Sequence, residues 1–159
     1  MKIYARKKGV SVPYNFSHGG TNDIYDGDTL IGEAIARGYH IVPSMQAYPQ
    51  AEWDNNIFVM TPDPPYSDEE KNRAKRTMEE LAFTITRYEF LNFFWWIFKI
   101  ISTNGLWIGP TSLKNKRAYC FETVAVIANA ARQGSFPEDY ATCGVDIYAS
   151  GHYKPKDQV

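Results

Sequence analysis

Polar and apolar residues alternate along the first sixty positions, and then the spacing changes to a helical one. Lys2 to Arg6 alternate weakly, which predicts a short strand. The segment "SHGGTNDIYDGDTLIGEAI" reads as a hairpin turning at Asp26-Gly27, a dipeptide that supplies the positive φ angles of a tight primed turn. With a two-residue turn there, Tyr25 faces Asp28, paired positions sum to 53, and His18 falls opposite Ile35. "HIVPSM" and "NIFVMTP" are further strand candidates ended by proline. Together these segments predict a small antiparallel sheet.

The pattern changes at "DPPYSDEEKNRAKRTMEELAF". Prolines precede Ser67, Glu70 follows three residues later as in a capping box, and Ala74, Met78, Leu81 and Ile85 recur at helical spacing. This predicts a surface helix with a polar outer face. "RYEFLNFFWWIFKIIS" is the most apolar stretch, but it is interrupted by Asn92 and Lys99 and falls short of the ~20 residues of a membrane span. Its Phe90–Ile101 run reads as a core helix, with a wall of a lipid-acyl pocket as the other reading. A Gly/Pro/Lys-rich loop follows, then a helix starting near Ala118 or Tyr119 and stopped by Gly134, then an irregular tail. The fold class is α+β, a small antiparallel sheet packed against helices, in a single domain spanning residues 1–159.

Composition narrows the function classes. A net charge of −1 gives no electrostatic case for nucleic acid. The 15% aromatic content argues for a folded chain. Two cysteines 23 positions apart make neither a disulfide framework nor the paired spacing of a zinc site. No secretory signal or transmembrane segment is read, which points to a cytoplasmic or phage- or virion-associated protein.

The candidate chemistry centres on "RAYCFETVAVIANAARQG". Cys120 shares a helix face with Val124, Ile127 and Ala131, so its sulfur is directed at the sheet. A helix start favours a thiolate, and its unpaired N–H groups are donors for the oxyanion formed when a thiolate attacks a carbonyl. The hairpin register sets Glu33 two residues from Ile35, diagonal to His18 on the same face, so Glu33 is the candidate orienter of His18. The competing readings are a packing cysteine, an exposed strand glutamate and a turn histidine; a His/Glu/Cys metal site is a further chemical reading. His40 reads as a strand residue, Cys143 as packing or a partly exposed thiol, and His152 as solvated.

The ordered motifs "FSHGG", "LIGEAIARGYHIVP" and "AYCFETV" resemble the permuted papain-like branch of the NlpC/P60 superfamily, related to YiiX-type enzymes and more distantly to lecithin retinol acyltransferase. The similarity spans roughly Phe16 to Val126. It implies a circularly permuted arrangement with the nucleophile helix near the C-terminus: Cys120 as nucleophile, His18 as general base and Glu33 as the polar third residue. Tyr88 and Tyr119 are the candidate substrate-binding residues. Two departures stand out: Phe121 replaces the serine usual after the cysteine, and Gly19-Gly20 replace apolar strand residues after "SH". The resulting expectation is a cysteine hydrolase without cofactor, cleaving an amide (peptide, isopeptide or peptidoglycan peptide) or an ester through an acyl-enzyme. A lipid acyltransferase or thioesterase with the same triad, and a non-catalytic interaction protein retaining the fold, are the alternatives.

Overall fold

The computed structural model of the chain describes residues 1–7, 16–23, 29–88, 117–118, 120–136, 147 and 150–155. Of these, Arg6, Lys7, Phe16, Ser17, His18, Arg87, Tyr88, Arg117, Ala118 and Pro155 are described as backbone positions. Six strands form one antiparallel sheet: β1 (Lys2–Lys7), β2 (Phe16–Asn22), β3 (Leu30–Ile35), β4 (Gly38–Pro43), β5 (Ile57–Pro62) and β8 (Tyr153–Pro155). Their spatial order is β4-β3-β2-β1-β5-β8. A parallel pair, β6 (Arg87–Tyr88) and β7 (Arg117–Ala118), lies apart from it. The helices are α1 (Ser44–Ala47), α2 (Gln50–Asn55), α3 (Asp68–Thr84) and α4 (Cys120–Ala131). The α+β class and the antiparallel sheet are as the sequence predicts.

The hairpin register also agrees: Thr21 pairs with Gly32 and Asn22 with Ile31, although the Asp26-Gly27 turn itself lies outside the described residues. Because side chains alternate across a strand, the sheet carries two separate cores. On one face Ile3, Ala5, Ala34 and Met60 pack under α3 and α4. On the other, Tyr4, Ile31 and Ile57 pack under the 44–55 segment, with Tyr48 and Trp53 against Tyr4.

The long helix α3 begins where its capping box says. Ser67 Oγ accepts from the Glu70 N–H while the Glu70 carboxylate accepts from the Ser67 N–H, and Asp68, Glu69 and Glu70 put negative charge on the positive end of the dipole. Ala74, Met78 and Leu81 are buried, and Ile85 is buried at the C-cap. Arg73 closes the other end of the helix pair: its guanidinium donates to the Ala130 and Ala131 carbonyls, the last of α4. Gly134 follows with φ +80°, the conformation that stops a helix.

Three features differ from the sequence expectations. Helix α4 starts at Cys120, because Arg117 and Ala118 are used in the strand pair with β6. Helices α1 and α2 went unpredicted: four and six residues are too short to display a period, and they are held by Trp53 and Tyr48 packing on the sheet. The tail is not wholly irregular, since Tyr153–Pro155 extends the sheet along β5. His152 is correspondingly half-buried, its ring edge-on to Phe136 and its carbonyl accepting from the Asp63 N–H. Among the described residues no helix is long and apolar enough to cross a membrane. The Phe90–Ile101 run lies outside the described residues.

Candidate active site

Cys120 is the first residue of α4, a free thiol only 3% exposed. Nine of the twelve residues of α4 are buried, so this helix is central, covered on more than the one stripe the spacing predicts. Val124, Ile127 and Ala131, the positions sharing a face with Cys120, are among them. Thr123 Oγ1 donates to the Cys120 carbonyl at 2.6 Å, tying down the first turn.

The helix packs on β2 and β3, and its closest approach explains both departures from the family pattern. A Cβ built on Gly19 would lie 2.3 Å from Phe121 Cε1, so the Phe121 ring occupies the space of a side chain at 19. A Cβ on Gly20 would meet the Gly32 carbonyl at 2.5 Å and the Tyr4 ring at 2.9 Å from the opposite side. The enlarged residue after Cys120 and the reduced residue after His18 thus compensate each other. They also place the two motifs side by side, since each contact residue is the immediate neighbour of its candidate.

His18 is a β2 backbone position paired with Arg6. The ladder between β2 and β3 is described only at Thr21↔Gly32 and Asn22↔Ile31, whereas β2 runs on along β1 through Gly20, Gly19 and His18. The end of β2 that carries His18 therefore leaves β3 at a fork. Tyr119 and the side chain of Tyr88 lie outside the described residues; the Tyr88 backbone pairs with Ala118, two residues before Cys120. Cys143 is also outside them.

Glu33 is buried on the other face of the sheet from α4. Its carboxylate is a hub. Oε2 accepts from the hydroxyls of Tyr4 and Tyr48, the latter at 2.9 Å, and Oε1 lies 3.0 Å from His40 Nε2. Burial, then the Glu33 charge, raises the Tyr4 pKa well above its ordinary value, so Tyr4 stays protonated and donates. His40 stands directly opposite Glu33 in the β3–β4 hairpin, with its side chain 32% exposed. The structure brings together the neighbourhoods of Cys120 and His18, but it does not set the Glu33 carboxylate beside Cys120. Tyr4, Tyr48 and His40 were not read as site residues. The available signal was the tight hairpin "EAIARGYH", whose register makes Glu33 and His40 a facing pair.

Among the described residues no group of three or more His, Cys, Asp or Glu side chains is arranged to hold a metal ion. No family model, curated protein or solved structure matches the chain.

Proposed function

We propose that the chain is a cysteine hydrolase of the permuted papain-like NlpC/P60 kind, with the nucleophile at the start of α4. The observation that carries this reading is the contact between Phe121 and Gly19, which ties the residue after Cys120 to the residue after His18. His18 takes the thiol proton as the Cys120 sulfur bonds to the carbonyl carbon. Backbone N–H groups of the first turn of α4 donate to the oxyanion. When the C–N or C–O bond breaks, the imidazolium returns its proton to the leaving amine or alkoxide, and water then releases the acyl group.

Glu33 is the third residue in this proposal. The register gives position 18 the parity of Gly20, which pairs with Tyr4, a partner of Glu33. With β2 and β3 parting at the fork, a base anchored from the Glu33 face reaches the nucleophile on the α4 face without crossing a closed ladder. Tyr88 and Tyr119 flank the cleft as substrate-binding residues. The substrate is an amide, as in a peptide, an isopeptide or a peptidoglycan peptide, or else an ester.

The test is a panel of peptidoglycan peptides, isopeptide-linked peptides and lipid esters, incubated with the wild type and with Cys120→Ala. Cleavage of one class by the wild type alone supports hydrolysis. Equal turnover by both proteins refutes it. A nucleophilic acceptor added to the active pair separates hydrolysis from lipid acyl transfer, because only the latter yields an acylated acceptor. A second reading, a non-catalytic interaction protein retaining the fold, is favoured by the burial of Cys120 and by the position of Glu33 on the far face. It predicts no turnover anywhere in the panel.

A further inference from the structure

A cavity of about 430 Å³ opens at the end of the sheet away from the fork. It lies beside Lys2, which pairs with Asn22, whereas His18 pairs with Arg6 four residues along β1, or ~13 Å at strand rise. Its volume is in the range of small-molecule sites.

The cavity has a fixed apolar floor and a charged rim. The floor includes Met1, Pro62, Pro65 and the ring of Tyr66. Tyr66 is held from beneath: its hydroxyl is hydrogen-bonded to that of Tyr153, and the Arg132 guanidinium lies 5.1 Å from its ring centroid. Arg132 is in turn fixed by a two-pronged pair with Glu70, at 2.7 and 3.0 Å. Such a floor needs no ordering when a ligand arrives.

Three ammonium groups reach the rim from three separate elements, Lys2 from β1, Lys71 from α3 and Lys154 from β8. They stand against two rim carboxylates, Asp23 and Asp63, which pair with Lys2 and Lys154. Lys71 is paired to Asp68 at 3.4 Å, but Asp68 is outside the cavity and 96% exposed, so that pair is screened by water. The Lys71 side chain is itself only 28% exposed. The rim therefore carries a surplus positive charge, and the cation with the most weakly held partner is Lys71.

We propose that this cavity binds a small organic anion, a carboxylate or phosphate carried on an apolar body, with the anion at Lys71 and the apolar part on Tyr66. A ligand there exchanges a solvent-screened pair with Asp68 for a partly desolvated one at the cavity mouth. It also covers apolar surface that is otherwise wet.

The experiment is a titration of the full-length protein, followed by backbone amide chemical shifts, with phenylacetate, phenyl phosphate, phenylacetamide and benzylamine. The proposal expects saturable shifts centred on Thr61, Asp63 and Lys71 with one or both anions, and none with the amide or the amine. The ratio of the two anion affinities shows which headgroup the site prefers. Lys71→Gln is expected to raise the dissociation constant about fivefold or more, and added salt to weaken binding. Lys75→Gln, on the same helix but outside the cavity lining, is the control and leaves binding unchanged. Absence of saturable binding, equal binding of anion and amide, or an unchanged affinity in Lys71→Gln overturns it. These outcomes are independent of whether Cys120 is catalytic.

Discussion

A buried carboxylate is tolerated only when its oxygens are satisfied, and Glu33 meets that condition through Tyr4, Tyr48 and His40. Removing one donor leaves the charge short of a partner in a place water reaches poorly. Tyr48→Phe is therefore expected to cost about 1.5–3 kcal/mol, read as a lower urea midpoint with an unchanged slope. An unaltered midpoint would show that the hub contributes nothing to stability. A second residue-scale expectation concerns Glu70, whose pKa is lowered to about 2 chiefly by its hydrogen bonds to Arg132. A carboxyl depressed in the folded state contributes stability that is present above its unfolded pKa and lost as pH falls toward the folded value. Glu70→Gln should thus be less stable than wild type at pH 6, and the gap should narrow between about pH 4.5 and pH 2. A gap constant over that window would contradict the pairing.

At the scale of elements, the decisive contact is α4 on β2. Gly19→Ala pushes a methyl group into the Phe121 ring and the Tyr4 carbonyl, while Phe121→Ala empties a packed site at a cost of about 3–5 kcal/mol. In a double-mutant cycle, Gly19→Ala should cost at least ~1 kcal/mol less in the Phe121→Ala background than in the wild type. Additive costs would mean that the two residues do not share the space. Much of this scale is legible in the sequence. The capping box at Ser67, the Ala74–Met78–Leu81 spacing and the β2–β3 register all follow from local chemistry. What is not legible is non-local. Neither Phe121 nor Gly19 reveals alone that each makes room for the other, and the facing pair Glu33–His40 is hidden because a strand position names no partner until the next register is known. The edge strand at Tyr153–Pro155 is three residues long and gains its pairing only from β5.

At the scale of the molecule, the sheet separates two sites. The fork between β2 and β3 carries Cys120 and His18 at one end, and the lysine-rimmed cavity occupies the other. Charge changes at the cavity rim are therefore expected to leave thiol chemistry at the fork intact, which Lys71→Gln tests when its labelling rate is compared with that of the wild type. The central claim is that Cys120 is a nucleophile served by His18. The most direct measurement is the rate of labelling by a thiol-reactive acyl probe near neutral pH, with the modified peptide mapped by mass, in the wild type, Cys120→Ala and His18→Gln. The account predicts labelling at Cys120, its loss in Cys120→Ala with the fold retained, and a drop of about a hundredfold or more in His18→Gln. Labelling confined to Cys143, equal labelling of Cys120→Ala, or an unchanged rate in His18→Gln would contradict it.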